Sequence, residues 1–182
     1  MEIRFLTAAD AQRWWNLRRE ALRLDPHAFS ASADEHESLS LEEVRRRIGS
    51  VTEDSFLVGA FDHCNLVGMA GFYREKGIKS RHKGRIWGVY VTAPMRSAGV
   101  GRKMLQMLLL RARHIEGLKQ ILLSVAATQT AAAHLYRSLG FVSYGREPRA
   151  LRIADQWIDE DYMVLMLDRP GSIDEIGSRH AS

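Results

Sequence analysis

Apolar residues recur along this chain with two periods, and the points where one gives way to the other mark its elements. Residues 2–6 read as a short strand. Thr7 then stands as a helix cap with Asp10 three residues on, the capping-box spacing. Behind it Ala11, Trp14, Trp15, Leu17, Ala21, Leu22 and Leu24 form a stripe of helical period. Asp25-Pro26 ends it, because the residue before a proline is pushed out of the α region. Large aromatics at that spacing normally pack, so the tryptophan pair reads as core. Residues 27–40 are small and polar, an irregular link that could border a pocket, and Ser40 opens a second helix that runs to Ile48.

The period then shortens to two. Ser55–Phe61 and Leu66–Tyr73 are apolar runs separated by the turn residues Asp62–Asn65, which predicts an antiparallel hairpin. A charged loop over 74–84 leads to a strand over 85–92, rich in β-branched and aromatic residues and stopped by Pro94. Val100, Met104, Leu105, Leu108 and Leu109 restore helical spacing to about His114, with Gly117 beyond the end. A β-rich run over 120–125 follows, then a helix from about Gln129 to Ser138 that Gly140 closes. Phe141–Tyr144, Arg149–Ile153 and Trp157–Leu167 predict further strands, the last two joined around Ala154-Asp155-Gln156. The order β-α-α-β-β-β-α-β-α-β-β defines a mixed α/β fold, with an antiparallel meander in front and crossover helices behind. Residues 1–168 read as one domain and residues 169–182 as a mobile tail, begun by Pro170 and Gly171.

The densest chemistry lies where the strand over 85–92 meets the next helix. Arg96, Gly99 and Gly101 stand between them. Glycines at a helix mouth let a ligand approach the backbone, and first-turn N–H groups, having no partner inside the helix, point outward. That predicts an anion site on the loop Arg96, Ser97, Ala98, Gly99, Val100, Gly101, Arg102 and Lys103. The amides from Gly99 to Lys103 would be its donors, and Arg96 a charged fork for phosphate oxygens. A dinucleotide fingerprint would need a third glycine where Met104 stands, and a nucleoside-triphosphate loop needs a Gly-Lys-Ser/Thr that the chain lacks. A helix cap and turn with no ligand would also use such glycines.

The strand, the loop Arg96-x-x-Gly99-x-Gly101 and the following helix resemble the cofactor motif of the GCN5-related N-acetyltransferases. Ala132, Leu135, Tyr136, Gly140 and Phe141 match a second signature of that family, Asn-x-x-Ala-x-x-Leu-Tyr and then Gly-Phe, with Gln129 in the asparagine's place. The resemblance implies a central mixed sheet of about six or seven strands with helices on both faces. In it the strands over 85–92 and 120–125 run parallel and splay apart at one end. It implies acetyl-CoA as cosubstrate, with pyrophosphate on the glycine loop and pantetheine in the wedge, bordered by Val89 and Val91 on one side and Gln129, Ala132 and Tyr136 on the other. A main-chain N–H near Val91 would polarise the thioester carbonyl, and Tyr136 would protonate the leaving sulfur. The implied reaction is direct transfer, in a ternary complex, to a primary amine of a small molecule or peptide.

The glutamate frequent on the family's central strand would align with about Arg85, which cannot act as a base. Glu147, Asp155, Asp159, Glu160 and Asp161 remain as carboxylates for that role, for orienting a cationic substrate, or for solvating a hairpin. A non-catalytic CoA-binding sensor or interaction module with the same fold is the alternative reading.

Composition changes this picture little. A formal charge of +4 mildly favours anionic partners but lacks the basic stripe of a nucleic-acid binder. The patch Lys76, Lys79, Arg81, His82, Lys83 and Arg85 reads as a solvated loop ahead of a contact to nucleic acid or to the 3′-phosphate of CoA. Cys64 is the sole cysteine, which excludes an internal disulfide. His27, His36, His63, His82, His114, His134 and His180 show no ligand spacing, so no metal is expected, and His134 should point away from Tyr136 toward solvent. No apolar run reaches the roughly 20 residues of a membrane helix. The opening Met-Glu-Ile-Arg is not a secretory leader, so a cytoplasmic protein is expected, with a homodimer left open.

Overall fold

The hairpin around Asp62–Asn65 anchors the first half of the sheet. In the computed structural model, which describes residues 1–50 and 52–167, β2 (Ser55–Asp62) pairs antiparallel with β3 (Asn65–Arg74). β1 (Glu2–Phe5) adds to β2 and β4 (Lys83–Val91) adds to β3. β5 (Gln120–Ala126) joins β4 in parallel, and β7 (Gln156–Met166) and β6 (Val142–Ile153) complete a seven-stranded sheet of order β1-β2-β3-β4-β5-β7-β6. The helices are α1 (Ala11–Leu24), α2 (Ala33–Glu37), α3 (Leu41–Gly49), α4 (Val100–Arg113) and α5 (Thr130–Ser138). The mixed α/β fold expected from the pattern is the fold observed. The tail expected over 169–182 lies outside the described residues. No helix among them is long and apolar enough to cross a membrane.

Each face of the sheet buries an apolar layer. On one, Trp14, Leu17 and Leu22 of α1 and Val44 and Ile48 of α3 pack on Leu57, Phe61, Met69 and Tyr90. On the other, Met104, Leu105 and Leu108 of α4, all at 0% exposure, and Tyr136 of α5 pack on Phe72, Ile121, Phe141 and Met163. The stripe read from α4 is therefore its buried face. The capping box forms on a 3-10 turn, Ala8–Asp10, that leads into α1. The Thr7 N–H donates to the Asp10 carboxylate, which takes two further N–H bonds of 2.8 Å from Arg4. That bidentate guanidinium holds Asp10 down at about 2, well below the usual carboxylate range.

The structure departs from the pattern in three places. The link over 27–40 contains α2, whose Ser32 Oγ accepts from the Glu35 N–H while the Glu35 carboxylate accepts from the Ser32 N–H. Five residues are too short to display a period. The two strands expected over 141–144 and 149–153 are one edge strand, β6. Between the pairs Glu147–Glu160 and Leu151–Ile158 it advances four residues while β7 advances two, so Pro148, which has no N–H to give, sits in a bulge. The third departure is a bulge in β4, which shapes the cleft.

Candidate active site

β4 and β5 pair only from Lys83–Gln120 to Arg85–Leu122, although β4 continues to Val91 and β5 to Ala126. Past that short ladder the strands part. β4 is bulged where it leaves β5: Tyr90 pairs with Met69 and Trp87 with Gly71, so Gly88 and Val89 together face Ala70. Gly88 holds φ +62°, a left-handed conformation that costs residues with a Cβ. The extra residue shifts the side-chain alternation by one. Trp87 and Tyr90 consequently pack on the α1 face, and Ile86, Val89 and Val91 on the α4 face.

The gap is a cleft of about 560 Å³, walled by Val89 to Val91 and by Leu123 to Ala126, with the start of α4 at its mouth. Gly99 caps that helix at φ +75°. The amides of Val100, Gly101 and Arg102 make no hydrogen bond among the described residues. Lys103 corrects the expectation, because its N–H donates to the Gly99 carbonyl at 3.1 Å and is spent inside the helix. Neither Lys103 nor Ala98 lines the cleft, whereas Arg96, Ser97, Gly99, Val100, Gly101 and Arg102 do.

Arg96 is engaged within the protein. Its Nε donates to the Val91 carbonyl at 2.9 Å, its Nη2 pairs with Asp25, and the guanidinium lies 5.5 Å from the Tyr90 ring. Arg102 donates to Ser138 Oγ at 2.6 Å and so ties α4 to α5. Thr92 gives its N–H to the Val67 carbonyl at 2.9 Å, and Val91 pairs opposite Gly68. Successive amides of a strand alternate sides, so the Val91 N–H turns away from β3 and into the gap.

Tyr136, Gln129 and Ala132 line the opposite wall. Tyr136 is buried against the edge of Phe141, its hydroxyl makes no hydrogen bond among the described residues, and burial raises its pKa. Gln129 accepts the Ala133 N–H on its carbonyl, while its side chain makes no hydrogen bond among the described residues. His134 is exposed, as its helix position required.

The carboxylates considered as bases lie off the cleft lining. Glu147 accepts from the Tyr162 hydroxyl, Asp161 pairs with Arg146 at 2.6 Å, Asp159 caps the Arg149 N–H at 2.9 Å, and Asp155 is fully exposed at the hairpin turn. Glu160 makes none of these bonds and pairs in register with Ala126. Arg85 is engaged by Glu75 at 2.6 Å.

Three features escaped the sequence reading. The Tyr90 hydroxyl donates to Glu20 at 3.0 Å, and burial first, then that carboxylate, push its pKa up to about 12. Trp87, Gly88 and Phe29 line the cleft on the α1 side. Arg18 is buried among them at 8% exposure with no hydrogen bond or ion pair among the described residues, and desolvation pulls it down to about 10. Its signal was in plain view: an arginine inside the apolar stripe of α1, one turn from both Trp14 and Leu22.

The site is thus a mixed sheet opened at its parallel pair, with the unbonded amides of Val100 to Arg102 at the mouth of the opening. A family model described as "Acetyltransferase (GNAT) family" matches residues 11–141, and the chain belongs to that family. It is similar to the L-amino acid N-acyltransferase MnaT of Escherichia coli (strain K12), 34% identical over 89 residues, 49% of this chain and 51% of that protein. An L-methionine sulfoximine/L-methionine sulfone acetyltransferase of Pseudomonas aeruginosa is 35% identical over 80 residues, 44% of this chain and 46% of that protein. The chain spans about half the length of the curated relatives it matches. Among solved structures, a GNAT-family acetyltransferase from Streptococcus pneumoniae superposes with a TM-score of 0.80 at 23% identity, covering 91% of this chain and 98% of that one. A phosphinothricin acetyltransferase from Sinorhizobium meliloti, in complex with AcCoA, superposes with a TM-score of 0.78 at 20% identity, covering 91% of this chain and 87% of that one.

Proposed function

We propose that this chain moves an acetyl group from acetyl-CoA to a primary amine of a small molecule or peptide, by direct transfer within a ternary complex. The observation that carries the reading is the opened β4–β5 pair with the unbonded amides of Val100 to Arg102 at its mouth. Those amides, at the positive end of α4, suit a diphosphate. Val89, Val91, Gln129 and Ala132 would border the pantetheine arm. The relatives named for acylating amino acids and the acetyl-CoA-bound structure support the same chemistry.

Acetyl-CoA would supply the acyl group as an activated thioester. The Val91 N–H would stabilise negative charge on the carbonyl oxygen. The amine nitrogen bonds to the carbonyl carbon, the C–S bond breaks, and the sulfur leaves as a thiolate that takes its proton from water. Tyr136 is assigned as the hydrogen-bond donor to that sulfur. Burial raises its pKa and keeps it protonated at neutral pH, and since a free thiol titrates near 8.5, it stabilises the departing thiolate by its hydrogen bond without giving up its own proton. The proton lost by the amine would pass to the Tyr90 oxygen as the Tyr90 hydroxyl proton moves to Glu20, because Tyr90 is the lining residue whose hydroxyl bonds a carboxylate among the described residues.

The test is steady release of free thiol from acetyl-CoA over a panel of amines. Turnover above background supports the reading. Saturable binding of acetyl-CoA with no thiol release would support the second reading, a sensor. One observation favours that second reading: the carboxylate in the cleft lining, Asp25, is held by Arg96.

A further inference from the structure

Among the described residues Arg18 is a buried cation without a partner. Its Nη1 is enclosed with no acceptor in reach, and so is Trp14 Nε1, one turn earlier on the same face of α1. Both residues line a cavity of about 620 Å³ together with Trp87. The guanidinium lies 4.7 Å from the Phe29 ring and 5.7 Å from the Trp87 ring, and a Cβ on Gly88 would stand 3.0 Å from Nη1. Phe29, Trp87 and Gly88 also line the cleft between β4 and β5. Trp87 lines both spaces, and Arg18 lines the cavity while lying against the Phe29, Trp87 and Gly88 wall of the cleft, over the bulge. Stacking on two rings answers part of its charge but leaves its N–H groups open, and a charge so enclosed is expected to be paired.

We infer that Arg18, assisted by the Trp14 N–H, binds a carboxylate of the acceptor, so that the acceptor is an amine carrying a carboxylate a few bonds from its reacting nitrogen, as an amino acid does. The inference rests on the acetyl-transfer reading and names the substrate class of that site. The distances suit it. Gly88 and Val91 are three residues apart, about 10 Å of strand, and a hydrogen bond of about 3 Å at each end leaves room for only a short connection between anion and amine. A guanidinium fork matches the planar, two-oxygen geometry of a carboxylate. The Phe29 and Trp87 rings beside it favour an apolar side chain.

Wild-type and Arg18→Gln proteins would be compared by thiol release at saturating acetyl-CoA, with L-amino acids, their amides and the corresponding decarboxylated amines. Wild type is expected to prefer the acids by roughly 10²-fold or more in kcat/KM. Arg18→Gln should erase that preference, mainly through the acceptor KM, with the KM for acetyl-CoA unchanged, and Arg18→Lys should restore part of it. Amides or decarboxylated amines used as well as the acids by wild type, or a preference that survives in Arg18→Gln, would overturn the proposal. If wild type releases no thiol with any amine, the transfer reading fails. Calorimetric titration of the amino acids into protein saturated with CoA then decides the anion site alone: saturable binding lost in Arg18→Gln supports it, and absence of binding overturns it.

Discussion

Asp10 concentrates several stabilising contacts in one side chain. It is 2% exposed, closes the capping box of the 3-10 turn that leads into α1 and takes both Arg4 donors. Its folded pKa of about 2 lies below its ordinary value of 3.8, so its contribution is complete above about pH 4 and is lost as the pH falls toward 2. Asp10→Asn should lower stability by about 2 kcal/mol at neutral pH and flatten the stability profile between pH 4 and 2, measured by urea unfolding. Arg18 predicts the opposite sign. Replacing a buried, unpaired charge with an apolar residue of similar volume is often neutral or stabilising by about 1–4 kcal/mol, so Arg18→Met should melt no lower than wild type while losing acceptor affinity. Tyr136→Phe should lower kcat by roughly 10²-fold with little change in the KM for acetyl-CoA. An unchanged kcat would remove the tyrosine from the sulfur. These residues differ in legibility. Tyr136 stood inside a recognisable motif, whereas Arg18 could be seen as odd in its helix but not as orphaned, since only the packed structure shows what its charge lacks.

Among the elements, β4 decides the shape of the site. Its bulge opens the parallel pair, turns Trp87 and Tyr90 to the α1 face, and brings Gly88 under Arg18. Gly88→Ala should cost about 1–2 kcal/mol from the left-handed backbone, and the contact with Arg18 should raise the acceptor KM more than the acetyl-CoA KM. Thermal melts and two-substrate kinetics check both parts. A bulge of this kind is hard to read in a sequence, because a glycine within a β run is equally consistent with a plain strand. The same holds for β6, read as two strands over 141–144 and 149–153, which is one edge strand with Pro148 in a bulge. By contrast α4 was legible almost residue for residue, because a helix with one buried face records that burial in its own spacing.

At the scale of the whole molecule, the cleft lies between the two apolar layers and draws on both. Val89 and Val91 come from the side of α4, Trp87 and Tyr90 from the side of α1, and the helix amides from α4 itself. A ligand that spans these parts binds only the folded chain. Acetyl-CoA at one hundred times its Kd should therefore stabilise by about 2.7 kcal/mol, a rise in Tm of roughly 5–10 °C by scanning calorimetry. The sequence alone determined what is local: the α4 stripe, the caps at Thr7 and Ser40, the hairpin, and the glycines whose backbone freedom marks the helix mouth. Those follow from period, capping and steric freedom over a few neighbouring residues. The tertiary structure decided which amides stay unbonded, that Asp25 engages Arg96, that Lys103 belongs to its helix, and that Arg18 is enclosed without an anion. Hydrogen-bond partners and burial are relations between segments distant in the chain, such as Asp25 and Arg96, and no spacing within either segment encodes them.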